Sequence, residues 1–250
     1  MIRSRLFLFV GLLIVAISAA LAVLPARWLM RVVPAHGPLT IVDASGTVWS
    51  GSATLAVGTG PNRRTLPDPV RWGLSVGTTL QMTITHPWLS GPLVLVPSFR
   101  GLGVSAQTLS LPAQALAALD ARIAAIDPEG RLSLTWPPTY LGGADRPPGA
   151  PVLNAEWHDA ASALTPIRPI GHYALALKQG SDDTFDINLR SQRGPLLISG
   201  SGVLTSRGAL RFDGVAQADP TAGPAVQAAL FDVLSALGPR QNNQTLLRHR

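Results

Sequence analysis

The sequence predicts a mainly β protein: a single N-terminal transmembrane helix, then a curved antiparallel β-sheet domain, open to a reading as two similar halves, with two short helices. Three observations carry the expectation. An uncharged apolar run fills Leu6 to Leu24. From Ile41 onward the hydrophobic period is two, the period of a strand with one buried face. The 24 Gly and 22 Pro cut the chain into the short segments expected of antiparallel hairpins.

At 1.5 Å per residue the apolar run reaches roughly 28 Å, enough to span a bilayer core. Leu6, Phe7, Leu8, Phe9, Leu12, Leu13, Ile14, Leu21 and Leu24 form the candidate membrane anchor, and Ser18 is the one polar side chain in the run. Arg3 and Arg5 precede the run and Arg27 and Arg31 follow it, so the α-amino group tips the balance toward a cytoplasmic N-terminus. A cleaved signal ending at Ala20-Leu21-Ala22 is the alternative. The run exceeds a signal's usual apolar stretch, and Trp28 between Arg27 and Arg31 resembles an interfacial belt, so the uncleaved anchor is favoured. Both readings export the remainder.

Strands follow from alternation. Val70, Trp72, Leu74 and Val76 interleave with Arg71, Gly73 and Ser75, and Leu80, Met82 and Ile84 with Gln81, Thr83 and Thr85. The pattern returns at Leu132, Leu134 and Trp136, at Tyr173, Leu175 and Leu177, at Phe185, Ile187 and Leu189, and at Leu210 and Phe212. One helix is expected from Ser110 and Pro112 through Leu116, Leu119, Ile123 and Ile126, stopped at Asp127-Pro128-Glu129-Gly130. A second is expected from Ala225 to Leu237, stopped by Gly238-Pro239. Two short helices cover only part of the apolar sheet surface, so the sheet must curl onto itself, leave a trough or meet a partner.

The organisation read from these signals is a cytoplasmic stub and anchor over 1–24, a first β half over 25–136 and a Pro/Gly-rich joint over 137–151. A second β half with a C-terminal helix covers 152–238, and a flexible basic tail covers 239–250. Gly46 to Gly51 and Ser199 to Leu204 echo one another loosely, which is the basis for two similar halves.

Composition narrows function. The chain is 46% hydrophobic and 14% charged, so wholesale disorder is excluded. With Cys 0 it has no disulfide framework, thiolate zinc site, iron–sulfur cluster or cysteine nucleophile. The net charge of +6 is dispersed, suits an anionic membrane surface and forms no nucleic-acid stripe, so no nucleic-acid partner is expected.

Gly101-Leu102-Gly103-Val104-Ser105-Ala106 fits the dinucleotide pattern, but a strand and not a helix is expected after it, so no cofactor is expected. The five histidines lack metal-ligand spacing, and Asp182, Asp183 and Asp186 lack the order of a calcium loop. No Gly-x-Ser-x-Gly elbow or Gly-Lys-Ser/Thr loop occurs. No catalytic, cofactor-binding or metal residue is therefore assigned, and the chain is read as not an enzyme.

An N-terminal membrane segment, then Leu24-Pro25-Ala26-Arg27, then Gly46-Thr47-Val48-Trp49-Ser50-Gly51-Ser52-Ala53, then Val70-Arg71-Trp72, and later Ser199-Gly200-Ser201-Gly202-Val203-Leu204 ahead of Phe212-Asp213-Gly214 together resemble protein N of the bacterial type II secretion system. The motif residues singled out are Gly46, Thr47, Trp49, Gly51, Trp72, Gly200 and Gly202. The resemblance implies an inner-membrane protein with a periplasmic β domain. Its implied partners are other subunits of the inner-membrane platform, with the secretin as a further candidate, and membrane lipid through the anchor. It carries no catalytic residue. Gly46 and Gly51 are expected to bracket a strand and Trp49 to pack on the sheet, so that Trp49→Ala costs about 3 to 5 kcal/mol if the ring is buried. The competing function is a lipid-handling envelope protein that binds acyl chains on an uncovered apolar sheet face.

Overall fold

The computed structural model describes residues 12, 19–20, 22–31, 39–58, 63–118, 121–142, 146–181, 183–241 and 244–249. The anchor residues Leu6, Phe7, Leu8, Phe9, Leu13, Ile14 and Leu21 lie outside them, as do Leu119 and Asp182. Among the described residues, no helix is long and apolar enough to cross a membrane.

The architecture is mainly β and antiparallel, but it is built as two sheets where one was expected. The chain opens with β1 (Leu39–Gly46), β2 (Ser50–Val57), β3 (Arg64–Thr65), β4 (Val70–Val76), β5 (Leu80–Thr85), β6 (Leu93–Ser98) and β7 (Gly101–Val104). It continues with β8 (Gln107–Pro112), β9 (Pro128–Trp136), β10 (Thr139–Leu141), β11 (Pro151–Ser162), β12 (Gly171–Gln179) and β13 (Thr184–Arg193). The last strands are β14 (Leu196–Thr205), β15 (Leu210–Ala218), β16 (Arg240–Gln241) and β17 (Gln244–His249). The first sheet has the order β1-β2-β4-β5-β6-β7-β10, with β3 on β2; the second has β16-β17-β15-β14-β13-β12-β11-β9-β8.

The expected halves do not coincide with these sheets. β8 and β9 precede the Pro/Gly-rich joint yet belong to the second sheet, while β10 lies inside the joint and pairs with β7 of the first. Nor do the two glycine-rich stretches repeat one structure. Gly46 to Gly51 is a hairpin turn, whereas Gly200 and Gly202 sit inside β14, paired with Gly214 and Phe212.

Period-two alternation produces the second sheet directly. One row of in-register residues, Leu109, Leu134, Ala155, Leu175, Leu189, Gly200, Gly214 and Leu247, runs across it on a single face. The next row, Thr108, Thr135, Asn154, Ala176, Asn188, Ser201, Asp213 and Arg248, faces the other way and is mostly polar. A one-residue slip anywhere would exchange the two faces, so burial of the apolar row fixes the register.

The helices are shorter and more broken than their periodicity suggests. Ser110 and Pro112 end β8; a 3-10 turn over Ala113–Ala118 and an α-helix over Ala121–Ile126 follow. Asp127, at φ 41, turns the chain so that Pro128 begins β9. The expected Ala225–Leu237 helix divides into Pro224–Ala229 and Phe231–Leu237, with Leu230 between them at φ −87 and ψ −3. This pair lays Leu230, Val233 and Leu234 on Leu196, Ala216 and Tyr173, forming the main core.

The expected flexible tail is instead a strand. β17 pairs with β15 from Phe212↔His249 to Ala216↔Thr245, and the fully buried Thr245 hydroxyl donates to Leu234 O at 3.1 Å. Apolar Leu246 and Leu247 between polar neighbours carry too short an alternation to stand out in a basic sequence.

The two sheets are joined by hydrogen bonds. The segment between β5 and β6 runs beside β8: Ser90 N donates to Thr108 O at 2.9 Å, Ser110 N donates to Trp88 O at 2.7 Å, and Leu89 and Leu109 form a bridge. The junction between the two sheets runs along this segment and β8.

Candidate functional site: the hairpin that fastens the N-terminal segment

Five of the seven motif residues converge on the β1–β2 hairpin. Gly46 stands opposite Gly51 in the ladder, and the four residues between them form the turn. Thr47 closes it: its N–H donates to Ser50 O at 2.9 Å, and its hydroxyl accepts from Ser50 N at 3.1 Å. Gly46 has φ +86, a conformation that L side chains rarely adopt. Gly51 is required by space. A Cβ there would lie 2.7 Å from Cζ2 of Trp72 and 2.5 Å from Ser45 O.

Trp72 is the centre of the arrangement. Its ring is buried with Ala26 and Ala53, bordered by Leu55, Leu74 and Ile84. Its indole N–H donates to Val48 O at 2.9 Å, across 24 positions of sequence. One residue thus contributes a large apolar area and satisfies a carbonyl in the turn.

The turn also holds the N-terminal segment. Val48 N donates to Leu24 O at 2.9 Å, and Pro25 bridges Thr47. Ala26 opens a 3-10 turn over Ala26–Arg31 and is 1% exposed against the Trp72 cluster. Leu74 N donates to Trp49 O at 2.6 Å, tying the far side of the turn to β4. The segment that follows the apolar run is therefore bonded to the first hairpin and, through it, to the sheet interior.

Trp49 itself departs from expectation. The residue is 38% exposed at the hairpin tip, so the buried indole that packs the motif belongs to Trp72, and the large stability cost expected for Trp49→Ala is withdrawn. Alternation explains the exchange. Trp72 is in phase with apolar β4 neighbours, while Trp49 falls in the turn, where no alternation applies.

Gly200 and Gly202 stand apart from this hairpin. They lie under the ring of Phe212: a Cβ at Gly200 would approach its Cζ to 2.5 Å, and one at Gly202 its Cδ2 to 2.9 Å. They make room for the Phe212 ring on the second sheet.

A polar cluster that the sequence spacing does not reveal forms at the β9–β11–β12 bulge. His158 Nε2 lies 3.1 Å from Glu156, His172 Nε2 lies 3.2 Å from Asp159, and the two imidazoles meet edge to face at 6.0 Å. Asp159 has φ 49, and the register shifts beside it on both neighbours. Arg168 pairs with Glu129 nearby, which raises its pKa, first through their hydrogen bond and then through charge. The signal available was His158-Asp159 adjacency; the partner His172 was set by the fold. Tyr173 anchors the neighbouring core, donating to Leu196 O at 2.9 Å, and burial raises its pKa, so the phenol is a donor at physiological pH.

Among the described residues, no group of three or more His, Asp or Glu could hold a metal ion. Gly101 to Val104 forms β7 and is followed by a strand, so no helix N-terminus faces those glycines. The fold and the hairpin define a class: a two-sheet antiparallel β protein whose N-terminal segment is fastened to its first hairpin.

The family follows from comparison. Residues 37–247 match the model of type II secretion system protein N, and the chain belongs to that family. The family supplies a component of the type II secretion machinery and is not a known enzyme family, and membership implies other secretion subunits as partners. No curated protein and no solved structure matches the chain.

Proposed function

We propose that this chain is a non-enzymatic, inner-membrane-anchored component of the type II secretion machinery, with its cytoplasmic N-terminus across the bilayer from a periplasmic β domain. The domain supports assembly of the inner-membrane platform or its connection to the secretin. The observation that supports this reading best is the fastening of Leu24 and Pro25 to Val48 and Thr47. A bond from the hairpin to Leu24, the last residue of the apolar run, supports a sheet held beside a membrane, whereas a signal cleaved at Ala22 would leave these bonds to a new chain end. The described residues Leu12 and Val23 expose 72% and 68% of their surface, as lipid-facing side chains do.

Fractionation of cells tests the placement. The full-length protein is expected to stay in the membrane pellet through alkaline carbonate and to be degraded when protease is added to spheroplasts. Release by carbonate, or complete protection from protease, would contradict it.

One observation favours a second reading, a lipid-handling envelope protein. A cavity of about 280 Å³ opens where the sheets meet, lined by Leu55, Val70 and Ile84 of the first sheet and by Leu109, Leu111 and Leu116 from the second-sheet side. His86 in its wall is already bonded: Nδ1 accepts from Trp88 N at 3.1 Å, leaving Nε2 to donate to Asp68 O at 3.3 Å. The lining suits a hydrocarbon chain. Mass spectrometry of the purified full chain decides this reading: it expects a bound acyl lipid that Leu109→Asp removes, and equal lipid in both proteins overturns it.

A further inference from the structure

The first sheet has two unlike ends. Register places the turns between β1 and β2, β4 and β5, and β6 and β7, together with the end of β10, at one end of the sheet. The opposite end carries the segment bonded to β8 of the second sheet.

Large apolar side chains are exposed at the turn end. Phe99 is fully exposed, and Val76, Leu141, Tyr140 and Leu80 are exposed beside it. The Phe99 turn does not need its ring for closure, because Ser98 Oγ donates to Gly101 O at 2.8 Å and accepts from Arg100 N at 3.2 Å. Leaving such side chains in water forgoes the free energy that their burial would supply. The other exposed apolar residues among those described are scattered, and the Arg240 guanidinium stands 4.7 Å from the centre of the exposed Phe231 ring.

Charge and chain path identify what meets this end. The segments 46–51, 74–82, 97–103 and 139–142 contain no Asp or Glu and carry exposed Arg100. Leu24, the last residue of the apolar run, is bonded at the same end. An apolar, partly aromatic and cationic rim beside a membrane-entering segment has the chemistry of the bilayer interface.

We propose that the turn end of the first sheet rests in the headgroup region of the bilayer that the N-terminal run enters, with Phe99, Val76 and Leu141 at the acyl boundary and Arg100 among lipid phosphates. The inference rests on the anchor reading above. It makes the membrane a second support for the sheet, holding the second sheet at the end away from the bilayer.

The absence of cysteine makes the test clean. Phe99→Cys, Ile14→Cys and Ser201→Cys are each made in the full chain, labelled with an environment-sensitive fluorophore and reconstituted into phosphatidylethanolamine–phosphatidylglycerol vesicles. The label at 99 is expected to shift to the blue, to be quenched by lipid-attached nitroxide and to resist aqueous iodide, as at 14; the label at 201 is expected to behave oppositely. Iodide quenching at 99 equal to that at 201, with 14 still lipid-quenched, overturns this inference and leaves the anchor standing. Iodide quenching at 14 as well overturns the anchor and the inference with it. Shielding at 99 in native membranes but not in vesicles overturns the bilayer contact in favour of a protein partner.

Discussion

Trp72 carries two separable contributions, and substitution distinguishes them. Trp72→Phe keeps most of the apolar contact and removes the donor to Val48 O, at a cost of about 1–3 kcal/mol for the stranded carbonyl. Trp72→Ala removes the ring as well and is expected to cost about 3–5 kcal/mol. Thermal unfolding of the detergent-solubilised full chain checks the order: the melting temperature falls in both and further in Trp72→Ala. Equal melting temperatures in wild type and Trp72→Ala would remove Trp72 from the core. Gly51→Val puts a branched side chain where Trp72 and Ser45 already stand, and the expected result is a melting temperature lowered at least as far as in Trp72→Phe. Of this site the sequence displayed the two glycines and the phase of Trp72. The hydrogen bond that joins them was hidden, because nothing local records a partner 24 positions away.

Strands with clean alternation were the legible elements. The expected apolar positions of β4, β5, β12 and β13 fall on one face of each strand because period-two burial is a local property. Helices and termini were less legible. Leu230 has the periodicity of a continuous helix, yet its burial on the second sheet is met by two short helices that turn at that residue. β17 falls in the expected flexible basic tail, because chain ends with few apolar residues are rarely tied down. Its structural importance is measurable: ending the chain at Gly238 removes the Thr245–Leu234 bond and the cover over Ala216, and the melting temperature is expected to fall by several degrees or more. An unchanged melting temperature would mean that β17 adds nothing to the sheet.

β1 poses a different question at this scale, since it is the outer strand of the first sheet and is interrupted by a bulge between Ile41 and Asp43. Among the described strands β2 is its ladder partner, and an outer strand is a natural site for strand addition, which a bulge limits to part of its length. A photo-crosslinking residue in place of Val42, which is 51% exposed, is expected to capture another secretion subunit in cells. Recovery of uncrosslinked protein alone would exclude this edge as the partner surface.

For the whole molecule, the expected single curved sheet resolved into two because β8 and β9 cross into the second sheet before β10 returns to the first. Such crossing is a long-range choice, and strand patterns alone do not specify it. The consequence is a molecule with its N-terminal segment bonded at one end of the first sheet and its second sheet bonded at the other. The chain with this arrangement belongs to a family that supplies a component of the type II secretion machinery. The most direct test is to crosslink the full-length protein in its native membrane, extract it in detergent and identify by mass spectrometry every protein and lipid that accompanies it. The account predicts recovery of inner-membrane platform subunits or the secretin; stoichiometric lipid with no secretion subunit would contradict it.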